Sequence, residues 1–234
     1  MFDSTRRTFL QNSGIGLATI GASGLLLRSD AQPTQQVSRD QPSDRVLIQM
    51  ASNRKDETPA NGELKKVTPF PYGPFYKSGA PFRGKLSLPG ELGMPFVLSG
   101  RVWSFDTKRP LSGAVLDFWH VDMNEKYSNG STDLRNRGRL ISSETGNYEL
   151  ESIRPIPYRP NPQAAPEFWR CAHFHLLAVC PGYQPLITEI HFHGDPKKSD
   201  PMYRSENAIA VEERKVNGTT FQSGVFDVVM IKES

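Results

Sequence analysis

Residues 170–180 read RCAHFHLLAVC: two histidines two apart in an apolar run, with an arginine three residues ahead of the first. Successive strand side chains point to opposite faces, so His173 and His175 share one face and Phe174 takes the other. Each buried imidazole needs a polar partner. Their Cβ atoms would stand about 6.5 Å apart on that face, close enough for both rings to meet at one ion. That spacing favours a metal site over two hydrogen-bonded core histidines. His191 and His193 in IHFHGDP (residues 190–196) have the same spacing. Four histidines would suffice for a Zn or Cu site. The second pair, however, ends a strand at a Gly-Asp-Pro turn and reads as a solvated strand end.

Working outward, short runs of strand length recur between turn residues: FVLSGRVWSF, GAVLDFWHV, GNYELESI, CAHFHLLAV, LITEIHFH and GVFDVVMI. No stretch of 12 residues among them has a helical period, and with 19 Gly and 19 Pro in the chain the pattern predicts an all-β sandwich of mostly antiparallel strands with long site-bearing loops. Cys171 and Cys180 stand at opposite ends of one strand, too far apart to bridge within it, and read as free buried thiols. The formal charge of +3 is spread out, with no basic tract interleaved with aromatics, so nucleic acid is not expected as a partner.

The first 31 residues read as a targeting segment. Arg6 and Arg7 precede Phe9 and Leu10, then a Gly-rich, mildly hydrophobic stretch too short for a membrane span, then small residues ending at Ala31. The twin arginines resemble a Tat signal cleaved after Ala31, which implies periplasmic or extracellular export of a folded protein. Removing it takes away three Arg and two Asp and leaves about +2. Residues 32–65 read as a polar linker or arm suited to homo-oligomeric association, and 66–234 as the β domain.

Two loop tyrosines complete the pattern. Tyr127 follows the strand AVLDFWHV in NEKYSNG, and Tyr158 sits in IRPIPYRP, where prolines fix the backbone. In order, LSGAVLDFWHVDMNEKYS, ETGNYELESIRPIPY, Arg170-x-x-His173-x-His175 and PGYQPLITEIHFHGDP resemble the intradiol ring-cleavage dioxygenases, over about residues 68–231. The resemblance implies a non-haem Fe(III) site held by Tyr127, Tyr158, His173 and His175. It also implies O2-dependent cleavage of a catechol-type ring between its hydroxylated carbons, giving a cis,cis-muconate-type diacid. Tyr127 would be the ligand that stays and Tyr158 the one that dissociates to take a proton, with Arg170 stabilising charge on the substrate. Two departures stand out: Glu189 occupies a position where the family usually has Gln, and Tyr72 replaces the usual acid before Gly-Pro-Phe-Tyr. The compact domain and short Tyr158-to-His173 spacing look more like the protocatechuate branch than the catechol branch. Two alternatives are a non-catalytic exported protein that binds a metal or an aromatic, and the four-histidine Zn/Cu protein.

Overall fold

The computed structural model describes Pro59 and residues 62–130 and 134–234, all within the unit Ser38–Ser234. The expected signal segment, its cleavage after Ala31 and most of the arm at 32–65 lie outside the described residues.

Among the described residues, ten strands form two five-stranded sheets. The first sheet is built on β1 (Pro95–Ser104), nine of whose ten residues are buried. Its first half lies between β4 (Asn147–Ile153), antiparallel, and β9 (Thr219–Val225), parallel. Its end, Val102–Ser104, pairs parallel with β10 (Val228–Met230). β8 (Glu212–Val216) closes the outer edge against β9. The second sheet runs β3 (Arg137–Ile141), β2 (Val115–Trp119), β5 (His173–Val179), β6 (Leu186–Phe192) and β7 (Ala208–Ile209). A 3-10 turn at Ser205–Asn207 is the one helical segment among the described residues. No helix there is long and apolar enough to cross a membrane.

The sheets face each other through Phe96, Leu98, Leu116, Phe118, Phe174, Leu176, Ile190 and Phe192, all at most 1% exposed. In β5 this core takes Phe174, Leu176 and Ala178, so strand alternation turns His173 and His175 to the opposite face. That outer face of the second sheet is roofed by loops and carries the site.

Most expected strands appear, with two adjustments. GVFDVVMI divides between the end of β9 and β10, because Phe226 N–H donates to the Ser99 carbonyl and the Asp227 carboxylate accepts the Arg101 N–H at 3.0 Å. His191 is fully buried rather than solvated, because β6 runs through Phe192 and the turn begins only at His193, which is exposed. Cys171 and Cys180 are both free and buried.

Candidate metal centre and active site

Strand register assembles one flank of the site. Across β2, β5 and β6, Trp119 pairs with His175 and His175 with Glu189, while His173 pairs with His191. Directly opposed residues have Cβ atoms about 4.5–5.5 Å apart, so these side chains must touch. Trp119 stacks on His175 with ring centroids 4.8 Å apart.

Two loops supply the tyrosines. The chain leaving β2 folds at Asp122, whose carboxylate accepts the N–H groups of Asn124 and Lys126 at 2.8 and 3.0 Å. Glu125, in the left-handed region at φ 61°, then aims its carboxylate at Arg159. It accepts the Arg159 backbone N–H at 3.0 Å and the guanidinium at 3.2 Å. Arg159 neighbours Tyr158, so this contact joins the two tyrosine loops. Tyr158 is held from its other side by a two-bond bridge to the Arg170 backbone. Phe75 stacks on Tyr127 at 4.4 Å between ring centroids.

The four residues expected to ligate a metal are thereby brought together. The Tyr127 hydroxyl oxygen lies 3.3 Å from that of Tyr158, 3.4 Å from His173 Nε2 and 3.0 Å from His175 Nε2. The two Nε2 atoms are 3.2 Å apart. His173 Nδ1–H donates to the Cys171 carbonyl at 2.7 Å, which leaves the Nε2 lone pair facing the cluster. Burial lowers the His173 pKa to about 4 and holds His175 well below the ordinary value, so both rings are neutral donors. Burial also raises the Tyr127 and Tyr158 phenols, Tyr127 further through Tyr158 beside it. Two neutral phenols and two neutral imidazoles sharing so small a space gain most from a cation, which deprotonates the phenols and binds all four. Bonds of about 2.0–2.2 Å at angles near 90–110° separate donors by about 2.8–3.6 Å, which spans the 3.0–3.4 Å seen here. The donor set fits Fe(III), since phenolates are hard anionic ligands and imidazoles intermediate ones.

Arg170 and Glu189 stand against this cluster. The Arg170 guanidinium is gripped by two buried carboxylates, Glu189 Oε2 at 2.6 Å and Asp200 Oδ2 at 2.8 Å. Asp117 on β2 accepts a hydrogen bond from Tyr76, and its pKa rises to about 6 because burial outweighs Arg139 and Arg137. Asp200 carried no signal in the sequence, as an acid in a Ser-Asp-Pro turn. Its Oδ2 also accepts the Cys171 N–H, and its Oδ1 the Met202 N–H. Glu189 Oε1 lies 3.7 Å from both His173 Nε2 and His175 Nδ1. Burial favours protonating Glu189, but His173, the His191 hydrogen bond, His175 and Arg170 hold it well below the usual carboxylate range. His191 Nδ1 accepts the Arg204 N–H at 3.1 Å, so Nε2 carries the proton and donates to Glu189 Oε2 at 3.2 Å. His193 belongs to neither group of metal-competent side chains that converge among the described residues, so the four histidines do not form one site.

A family model described as "Dioxygenase" matches residues 72–231. A chlorocatechol 1,2-dioxygenase of Rhodococcus opacus is 36% identical over 182 residues, 68% of this chain and 70% of that protein. The chain belongs to the intradiol ring-cleavage dioxygenase family. Catechol 1,2-dioxygenase 2 of Acinetobacter lwoffii is 31% identical over 159 residues, and the match spans 58% of its length. Among solved structures, the dioxygenase domain of a dioxygenase–carbohydrate-binding protein fusion from Streptomyces sp. SirexAA-E superposes with TM-score 0.59 at 26% identity, covering 72% of this chain and all of that one. Like its relatives in this enzyme family, the chain is an oxidoreductase of the dioxygenase type. The expected nearness to the protocatechuate branch is not reflected in these catechol-type relatives. It rested on the compact domain and on the length of one loop, between Tyr158 and His173.

Proposed function

We propose that the protein is an Fe(III)-dependent intradiol dioxygenase that opens a catechol-type ring between its hydroxylated carbons with O2, giving a cis,cis-muconate-type diacid. The convergence of Tyr127, Tyr158, His173 and His175 within 3.0–3.4 Å carries this reading. These four residues would hold the iron, which when bound supplies Lewis-acid activation and orientation of the diol. His173 is fixed in its donor tautomer by the Cys171 carbonyl. Tyr127 is braced by the stacked Phe75 ring and suits the role of permanent ligand. Tyr158 is the candidate to leave and accept a diol proton at its phenolate oxygen. Arg170 would face negative charge on the ring, with Glu189 and Asp200 fixing its guanidinium in place. Phe75 stacks on Tyr127 and Trp119 on His175, with Tyr76 edge-on against Trp119, so aromatic rings flank the cluster. The twin-arginine segment supports an exported location.

The deciding experiment is the visible spectrum of the iron-loaded protein before and after anaerobic catechol. A broad charge-transfer band that moves to longer wavelength with catechol is the expected result. Tyr158→Phe should weaken or shift the band and lower turnover by a factor of about 100 or more, the scale of a lost proton-transfer group. A colourless iron-loaded protein would overturn tyrosinate ligation and leave His173, His175 and Glu189 as the donor set.

A further inference from the structure

Among the described residues, a buried imidazole nitrogen without a partner lies beside a carboxylate oxygen that accepts no hydrogen bond. His175 Nδ1 has no hydrogen-bond partner, and it is the one ring nitrogen of the His173–His175 pair so placed. Opposite it, Glu189 Oε1 accepts no hydrogen bond, because both contacts of that carboxylate fall on Oε2: Arg170 Nη2 at 2.6 Å and His191 Nε2 at 3.2 Å. The two atoms are 3.7 Å apart, slightly beyond a hydrogen bond. His175 Nδ1 is buried, so water does not satisfy it, and Glu189 as a residue is only 1% exposed. A buried ring nitrogen left without a partner is costly, and a small rotation of the His175 ring would bring it to Glu189 Oε1.

A cation on His175 Nε2 settles which way the ring is protonated. The Nε2 lone pair goes to the metal, the ring proton must sit on Nδ1, and Nδ1–H then points at Glu189 Oε1. The rest of the shell is arranged to keep Oε1 free for it. The Arg204 N–H fixes the His191 tautomer, and His191 and Arg170 together occupy Oε2. His173 already has its own outer acceptor in the Cys171 carbonyl at 2.7 Å.

Resting on the proposed iron site, we propose that Glu189 is a positioning residue: its Oε1 is the outer carboxylate of a carboxylate–histidine–metal arrangement on His175. Two ligand histidines then differ in strength. His173 donates to a neutral carbonyl, whereas His175 donates to an anion, gains basicity, and pushes more electron density onto the metal. The iron is a weaker electron acceptor than it would be with two carbonyl-bound histidines, so tyrosinate-to-iron charge transfer occurs at higher energy.

The test compares three variants of the full chain for iron affinity by chelator competition and for the position of the visible band, each with a thermal melt. Glu189→Gln is nearly isosteric and keeps an acceptor while removing the charge, so its band should move to longer wavelength with iron retained. Glu189→Ala removes the acceptor and should weaken iron binding about 10- to 100-fold, the usual effect of losing such a partner. Asp200→Asn disturbs Arg170 without touching His175 and should leave the band in place. If Glu189→Ala fails to fold, the band of Glu189→Gln decides alone. An unmoved band in Glu189→Gln, or an equal shift in Asp200→Asn, would overturn the assignment. A wild-type protein that binds iron without colour would instead overturn the tyrosinate site, and this inference with it.

Discussion

Arg170 is a cation whose charge is already spoken for. With Glu189 and Asp200 at 2.6 and 2.8 Å, the trio carries a net negative charge in a buried setting, where such charges act over several ångströms. Neighbouring arginines are committed as well. Arg137 donates to the carbonyls of Ser128 and Phe75, Arg159 to Glu125, and Arg204 to the carbonyls of Pro201 and Tyr203. A catechol bearing a ring carboxylate should therefore bind at least about ten-fold more weakly than catechol itself, measured as anaerobic spectral titrations. Away from the site, Glu149 on β4 has an unpartnered buried oxygen, and burial together with Glu151 raises its pKa to about 7. A carboxyl whose folded pKa lies above its unfolded value destabilises the fold as pH rises from about 4.5 through 7. Glu149→Gln should thus raise stability by about 1–2 kcal/mol at pH 8 and much less at pH 4.5, read from denaturant midpoints.

At the scale of elements, β1 is the strand on which the first sheet depends, and Gly100 at its middle shows why. A Cβ there would fall on the Phe226 carbonyl oxygen and against the Tyr148 ring. Gly100→Ala should destabilise the protein by about 2–3 kcal/mol in chemical denaturation, more than the same change at the open turn glycine Gly182. β1, β2, β4, β5 and β6 were legible in the sequence because each carries a run or alternation of large apolar residues. β3 was not, since Arg137 and Arg139 dominate it; Arg137 is buried and Arg139 half-buried, and both guanidiniums donate to backbone carbonyls. β8 reads Glu-Glu-Arg-Lys-Val, an exposed charged edge whose composition guards against pairing with another sheet and so hides the strand. The tyrosines and histidines of the site were legible as motif residues at fixed offsets. Asp200 and the burial of His191 were not, because both depend on register and on the path of the 193–204 turn, which no local pattern encodes.

Taken whole, the molecule keeps an uncharged histidine at its centre. His120 donates from Nδ1 to the Val121 carbonyl and accepts from the Ser152 hydroxyl, both at 2.7 Å, and burial lowers its pKa to about 3. A histidine with a depressed folded pKa confers stability above its unfolded value near 6.5 that drains away as pH falls towards 3. The metal-free protein should lose about 2–3 kcal/mol from this group between pH 7 and 4.5, seen as a falling melting temperature. The pairing of β1 has a different kind of consequence. Its parallel neighbours, β9 and β10, come from residues 219–230, more than a hundred positions later in the chain. A chain emerging from the ribosome can assemble the second sheet and its histidine strand first, yet the first sheet must wait for residues 219–230 before its earliest strand finds two of its three partners. The first sheet is therefore completed after the second, and a chain halted before residue 219 would leave β1 paired only with β4 and its other edge open for chaperones to hold.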